Sequence, residues 1–187
     1  MSTKRFILTG APGAGKTVIL RQLELDGFGV VEEAATDLIA LWQARGVDKP
    51  WMDCAFLDAV TELQKQRQVR AALAPDAIQF HDRSAVCTEA LARFLGYPVS
   101  AALARELKRI HAGAIYEKQV FFVRSLGFIE PTAARQISFE EALRFERVHE
   151  EVYCERGFEI VWVEPGSPED RSAAIKKVLQ TRYARSV

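Results

Sequence analysis

Short apolar runs, separated by longer stretches of helical pattern, organise the chain. Each run is bounded by polar or turn residues, and we predict a strand at each of them: Phe6–Thr9, Phe28–Val31, Ile78–Phe80, Val120–Val123 and Ile160–Val163. Three of the runs are nearly continuous in apolar residues, which is typical of strands buried on both faces of a parallel sheet.

Between the runs, apolar residues recur with the period of an amphipathic helix. The patterns cover residues 18–25 and 55–73, the set Leu103, Leu107 and Ile110, and the set Phe145, Val148 and Val152. Ser167 and Pro168 are typical of an N-cap and a first helical position, so a last helix is predicted to begin there. Strands that alternate with helices predict a three-layer α/β fold with right-handed crossovers.

Composition and charge limit the number of domains, the partners and the cellular location that we expect. The 187 residues suit a single domain, 1–187, and 25 basic side chains balance 25 acidic ones, so we expect no nucleic-acid partner. The three cysteines lack metal-ligand spacing, and we interpret them as reduced thiols. The sequence contains no apolar run as long as a membrane span and no signal peptide, so we predict a cytoplasmic protein.

The turn after the first strand carries the clearest chemical motif. Its sequence fits G-x-x-x-x-G-K-[ST], in which glycines let backbone N–H groups wrap a phosphate at a helix N-terminus. Lys16 is expected to reach the β- and γ-phosphates of ATP, with GTP also possible, and the Thr17 hydroxyl to ligate Mg²⁺. The predicted nucleotide-binding residues are Gly10, Ala11, Pro12, Gly13, Ala14, Gly15, Lys16, Thr17 and Val18.

Asp82 comes two residues after the third apolar run and ends the stretch 78–82, and Arg83 and Ser84 follow it. A carboxylate at the carboxyl end of a parallel strand lies at the edge where α/β sheets bind ligands. Asp82 is therefore predicted to be a water-mediated magnesium ligand or a base, and Arg83 to pair with a phosphate or an acidic group. The alternative is a helix N-cap aspartate beside a solvated arginine.

Glu32 and Glu33 end the second predicted strand, at the same edge. Glu33 is a candidate catalytic base, which would take the proton of a substrate hydroxyl as that hydroxyl attacks the γ-phosphate. The alternative is that both acids only favour the first turn of the helix that follows.

Residues 125–138 form the one irregular stretch, and arginines lie at its edge and within it. Arg124 and Arg135 could neutralise charge on a transferring phosphoryl group from a closing lid, predicted at 124–138, or could be surface arginines on an ordinary loop. His81 and His111 have no ligand-spaced partner, so a core or rim position and a helix face are expected for them. The tryptophans, Trp42, Trp51 and Trp162, are expected to pack rather than to stack on a base.

Taken together, these motifs resemble a family of small P-loop proteins that are described as an AAA domain or predicted ATPase and are similar to nucleotide and nicotinamide-riboside kinases. The shared features span most of the chain: the run 10–17, 30–34, 50–53, 82–83, Arg135 before 138–142, Tyr153 before Gly157, and the Pro165 to Arg171 end. The resemblance implies a P-loop NTPase fold with parallel strand order 2-3-1-4-5, a lid after the fourth strand, a catalytic Arg135, and a base site at 164–167. Thr36 and Thr132 depart from the family pattern, and both departures concern the substrate pocket.

Three functions are compatible with this sequence. The first is a Mg²⁺-dependent kinase that transfers phosphate from ATP to a nucleoside-, nucleotide- or metabolite-like acceptor at Glu33, Asp82, Arg83 and Arg135. The second is an NTPase or nucleotide-dependent switch, although the chain has no N-K-x-D run for reading guanine. The third is a nucleotide-binding scaffold without catalysis. We rank the kinase first, partly by analogy of fold.

Overall fold

The computed structural model describes residues 3–127 and 137–183, in which strands and helices alternate along the chain. The strands are β1 (Lys4–Thr9), β2 (Gly29–Val31), β3 (Ile78–Asp82), β4 (Gln119–Val123) and β5 (Glu159–Val163). The helices are α1 (Lys16–Leu25), α2 (Ala34–Ala44), α3 (Cys54–Ala71), α4 (Ala85–Leu95), α5 (Ala101–Ala112), α6 (Phe139–Glu155) and α7 (Pro168–Tyr183), and a short 3-10 helix covers Pro50–Met52.

The strands form one parallel sheet in the order β2-β3-β1-β4-β5, which confirms the predicted α/β class and strand order. β1 lies at the centre and pairs with β3 on one side and β4 on the other. The chain therefore leaves β1 towards one edge of the sheet and later crosses to the other. Ligands of open α/β sheets bind at such a switch point, outside the carboxyl ends of the strands.

Apolar side chains cover both faces of this sheet and create its two helical layers. On one face, the rings of Phe6, Phe80 and Phe121 contact one another beneath helices α1 and α7. On the other face, Ile7 and Val120 belong to a cluster with residues of α2 to α6. Because successive strand side chains point to opposite faces, neighbouring residues such as Phe6 and Ile7 enter different layers.

The predicted elements agree in type with the structure, and differences occur at their ends. β3 extends two residues beyond the apolar run, because His81 and Asp82 continue the register with Ile7 and Leu8 of β1. The Ser167 hydroxyl accepts a hydrogen bond from the Asp170 N–H at 3.1 Å, as expected for the predicted N-cap. The predicted apolar patterns include neither α2 nor α4, and in α4 the pattern is interrupted by buried Thr88 and Glu89.

Two other expectations concern the predicted lid and membrane-spanning segments. Of the predicted lid, residues 128–136 lie outside the described ranges, and so does Arg135. Within the described ranges, no helix combines the length and the apolar character needed to cross a membrane.

Gly10 at the end of β1 allows the closest backbone approach in the turn. A Cβ at this position would lie 2.2 Å from the carbonyl oxygen of Val123, and φ is +128°. We expect Gly10→Ala to lower the free energy of unfolding by about 3 kcal/mol, since it combines an unfavourable φ with a clash against backbone. Urea unfolding followed by circular dichroism measures the change.

Gly46→Ala is the matched control for this prediction. Gly46 has φ +89° but no heavy atom within 4 Å of an added Cβ. Its cost should be limited to the φ strain, about 1 kcal/mol. Equal losses for the two variants would contradict the role assigned to the contact with Val123.

Candidate functional site

The turn 10–15 and the start of α1 form a concave backbone loop at the carboxyl edge of β1. Lys16 is almost fully buried, and its Nζ donates to the carbonyl oxygens of Gly10 at 3.1 Å and Ala11 at 2.8 Å. Gly15, with φ +84°, is the N-cap of α1 and supplies no side-chain acceptor for the first N–H groups of the helix. These N–H groups and the positive end of the helix dipole are therefore available to an anion. Val18 lies in the same first turn and is exposed.

Thr17 and Asp82 meet beside this loop. The Thr17 hydroxyl donates to Asp82 Oδ2 at 3.4 Å, and Asp82 Oδ1 is buried without a hydrogen-bond partner in the described residues. Burial, reinforced by the nearby charge of Glu33, raises the pKa of Asp82 to about 6. A buried carboxylate oxygen without a partner, next to a hydroxyl, suits the hydrated coordination of Mg²⁺, which protein groups usually complete together with phosphate oxygens. The part of the chain that is described contains no cluster of three or more His, Cys, Asp or Glu side chains for a metal.

Glu33 and Arg83 form an ion pair next to the same loop. Arg83 Nε donates to Glu33 Oε1 at 2.6 Å, and the Thr36 hydroxyl donates to Glu33 Oε2 at 2.6 Å. The other side of the guanidinium contacts His149, with 3.2 Å between Nη1 and Nε2. Arg83 directly follows β3 and has φ +71°, which is rare for a residue with a side chain, and its N–H donates to the carbonyl oxygen of Leu8 in β1. This backbone turn ends the strand and lets the side chain project towards Glu33.

Charge couples these groups electrostatically. Burial opposes ionisation of Glu33, but Arg83, Lys16 and the Thr36 hydrogen bond outweigh it and lower the pKa of Glu33. Burial and the Arg83 charge lower the pKa of Lys16 to about 8. The nearby carboxylates therefore do not fully offset the cost of burying the Lys16 ammonium, and a bound anion would supply the missing negative charge.

The structure separates side chains that the sequence treats alike. Glu33 faces the loop, whereas Glu32 is turned outwards and pairs with Arg21. Asp82 is not a helix cap, because the N-cap of α4 is Ser84, whose hydroxyl accepts the Val86 N–H at 3.2 Å. Arg83 is not solvated either, since its side chain is only 11% exposed.

Arg124 lies farther from the ion pair, at the end of β4. Its guanidinium stacks 4.0 Å from the ring centre of Trp162, and its Nε donates to Glu164 at 3.1 Å. It therefore borders the loop between β5 and α7 and is brought together with that loop rather than with Glu33. The predicted partner Arg135 is outside the described residues.

Of the other predicted histidines and tryptophans, all but His111 occupy packing positions. His81 is buried against the edge of the Tyr116 ring, and burial together with the Arg5 charge lowers its pKa to about 3. His111 is exposed on α5. Trp42 and Trp51 pack against the core, as expected, whereas Trp162 also carries the Arg124 guanidinium.

The sequence analysis assigned no role to three residues of this region. His149 is completely buried on α6, and burial and Arg83 keep its pKa well below the usual value. Its position four residues after Phe145 and three before Val152, on an otherwise apolar helix face, was a usable signal. Arg171 and Glu146 gave no local signal: Arg171 is buried behind the turn 10–15, and Glu146 has a buried Oε2 without a hydrogen-bond partner in the described ranges.

A family model described as an AAA domain matches residues 5–171. No curated protein sequence is significantly similar to the chain.

Solved structures share the fold at low identity. NadR in complex with NAD and AMP-PNP superposes with a TM-score of 0.69 at 19% identity over 95% of this chain and 49% of its own. NadR in complex with NR gives 0.71 at 16% identity, over 97% and 51%. This chain therefore spans about half the length of the NadR structures. Deoxyadenosine kinase from M. mycoides with bound dATP gives 0.60 at 12% identity, over 94% of this chain and 99% of its own.

Proposed function

The chain belongs to this AAA-domain family of P-loop proteins, and from that premise we propose that it transfers a phosphoryl group from Mg·ATP to a hydroxyl group of a small, nucleoside-like acceptor. The observation that carries the proposal is the ion pair of Glu33 and Arg83 beside the loop 10–17, whose side chains are 22% and 11% exposed. A loop of this kind binds the phosphates of a nucleotide without the help of a carboxylate such as Glu33. The ionised Glu33 next to the loop is therefore assigned to a second substrate.

The nucleotide half of the proposed site uses the backbone of Gly10–Thr17 and the Lys16 ammonium. Lys16 Nζ donates to two carbonyl oxygens of its own loop, which keeps it inside the concave surface where the β- and γ-phosphates would lie. The similar structures support this half, since they contain AMP-PNP or dATP. We further propose that the loop 164–167 borders the base.

Thr17 and Asp82 are the proposed metal-holding residues. The Thr17 hydroxyl would coordinate Mg²⁺ directly, and Asp82 would accept hydrogen bonds from its water ligands through Oδ1, which has no partner in the described chain. When bound, the ion supplies neutralisation of charge on the phosphate oxygens.

The acceptor half uses Glu33, Arg83 and His149. His149 Nδ1 lies 2.9 Å from the Phe145 carbonyl oxygen and donates to it, which leaves Nε2 to accept from Arg83. His149 and Glu33 thus orient the guanidinium from two sides. Glu33, held ionised, would accept a hydrogen bond from the acceptor hydroxyl, orient its oxygen and take its proton as phosphoryl transfer proceeds.

Charge favours a hydroxyl acceptor over a phosphate acceptor. Two arginines that contact Glu33 are already paired. Arg83 pairs with the Glu33 carboxylate, and Arg67 pairs with Asp37 and donates to the Glu33 carbonyl oxygen. An acceptor phosphate would meet the Glu33 carboxylate without a free cation from these two residues. A neutral ribose or sugar hydroxyl needs only the hydrogen-bond acceptor that Glu33 provides.

ADP formation from Mg·ATP, measured with nucleosides, nucleoside monophosphates and sugars as acceptors, tests the proposal. At least one hydroxyl acceptor should raise the rate about tenfold or more above basal hydrolysis. Glu33→Gln should lower this acceptor-dependent rate about 100-fold while leaving the basal rate within about twofold, since a general base contributes on that order. Glu32→Gln is the matched control and should behave as wild type. A basal rate unchanged by every acceptor would favour the NTPase or switch.

A further inference from the structure

Arg171 on α7 is a buried arginine whose hydrogen bonds go to three separate segments. It is 3% exposed. Its Nη1 donates to Ala14 O at 2.7 Å, its Nη2 to Arg124 O at 2.6 Å, and its Nε to Glu164 O at 3.0 Å. All three nitrogens of the guanidinium therefore donate hydrogen bonds. Among the described residues, every acceptor of Arg171 is a backbone carbonyl oxygen.

The three carbonyls belong to different parts of the proposed nucleotide site. Ala14 is in the phosphate-binding loop, Arg124 directly follows β4, and Glu164 directly follows β5. Ala14 is 157 residues from Arg171 and Arg124 is 47 residues from it, so the contacts join distant segments of chain. A planar guanidinium holds its donors in a fixed fork, which sets the spacing of these segments.

The contact with Ala14 also orients a phosphate-binding donor. In a trans peptide the C=O and the following N–H point in opposite directions. Because the Ala14 carbonyl points at Arg171, the Gly15 N–H of the same peptide points away from Arg171, and in the proposed site this is the side on which a phosphate would bind. A Cβ on Gly15 would lie 3.1 Å from Arg171 Nη1, so the guanidinium lies directly against this peptide. A charged donor on the carbonyl also polarises the peptide and strengthens its N–H as a donor.

We propose that Arg171 is a positioning residue that couples the base-binding loop 164–167 to the phosphate-binding loop, so that the nucleotide base contributes fully to affinity only when both are held in one geometry. The inference rests on the proposed binding of Mg·ATP, but not on the identity of the acceptor. Because Arg171 is 3% exposed and donates to backbone carbonyls, we assign it to the support of the loops rather than to contact with the nucleotide. Its effect therefore appears as a difference between ligands with and without a base.

Calorimetric titration with Mg·ATP and with Mg·tripolyphosphate separates the two contributions. The ratio of the tripolyphosphate Kd to the ATP Kd reports what the nucleoside adds to binding. Arg171→Met keeps the aliphatic stem and removes the fork, and it should lower this ratio about fivefold or more, the usual size of coupling between sites. Arg171→Lys keeps the charge but offers one nitrogen, so we expect an intermediate ratio.

Arg182→Met is the matched control, because Arg182 is on the same helix but exposed and paired with Glu159. It should leave the ratio unchanged. A folded Arg171→Met protein with a lower melting temperature but a wild-type ratio would overturn the inference, since packing alone would explain that result. If Arg171→Met does not fold, a wild-type ratio in Arg171→Lys overturns it equally. A wild-type protein that binds neither ligand would contradict the proposed function itself, whereas an unchanged ratio contradicts only the coupling.

Discussion

Lys16→Met should lower kcat/KM for Mg·ATP about 1,000-fold. The ammonium is the one buried cation whose hydrogen bonds go only to its own loop in the described chain, at 3.1 and 2.8 Å, and it would exchange them for phosphate oxygens. Removing a single preorganised donor at a transferring group costs on the order of 100- to 1,000-fold, and this donor also carries a charge. Steady-state ADP formation measures the effect, and Lys65→Met on α3, where the side chain is 43% exposed, is the control.

Lys16→Met should also change how the free energy of unfolding depends on pH. Burial and the neighbouring Arg83 lower the pKa of Lys16 from 10.5 to about 8, so between these values the unfolded chain binds more protons than the folded protein. The free energy of unfolding should therefore rise with pH across this interval, by an amount absent from Lys16→Met. Urea unfolding at pH 7.5 and 10.5 checks the difference between the proteins. Turnover that survives in a folded Lys16→Met protein would contradict the role of the loop.

Asp82→Asn should reduce magnesium-dependent turnover by a similar factor, about 1,000-fold, and raise the Mg²⁺ concentration for half-maximal rate. The amide removes the negative charge but keeps the shape of the side chain, so the loss reports on charge stabilisation worth several kcal/mol. Titration of the rate with MgCl₂ at fixed ATP measures both quantities. Exposed Asp48→Asn is the control and should match wild type.

The pH profile gives a second test of Asp82. Burial and the Glu33 charge raise its pKa to about 6, so kcat/KM of the wild-type protein should fall as pH decreases through about 6. The free energy of unfolding should depend on pH in the opposite direction from kcat/KM. A carboxyl with a raised pKa stabilises the fold fully below its unfolded value of 3.8 and loses this contribution as pH rises to about 6. Asp82→Asn should lack this loss. An unchanged pH profile in the variant would assign the titration to another group.

The element types were predictable from the sequence for a specific reason, whereas the strand order was implied by the resemblance to the family of small P-loop proteins. Buried parallel strands and amphipathic helices leave different periods in the sequence, and the turn Gly10–Thr17 carries its constraints in adjacent residues. The positive φ of Gly10 belongs to the turn itself, whereas its close approach to Val123 depends on the pairing of β1 with β4. Local rules were weaker at β3, where pairing with β1 extended the strand through His81 and Asp82.

The second half of the site depended on contacts between distant residues. Glu32 and Glu33 are adjacent and chemically alike, and only the tertiary structure turns one towards Arg21 and the other towards Arg83. His149 comes to Arg83 from α6, 66 residues away in sequence. No periodicity or motif encodes which helix will pack against which strand end.

By itself, the sequence determined a parallel α/β sheet with a phosphate-binding loop after its first strand, because the residues responsible are consecutive and act through backbone conformation. Only the tertiary structure decided that Glu33 meets Arg83 beside Lys16, and that Arg171 ties the loop to the ends of β4 and β5. These pairings depend on where non-adjacent strands lie in the sheet and on burial, which converts ordinary charges into a coupled cluster.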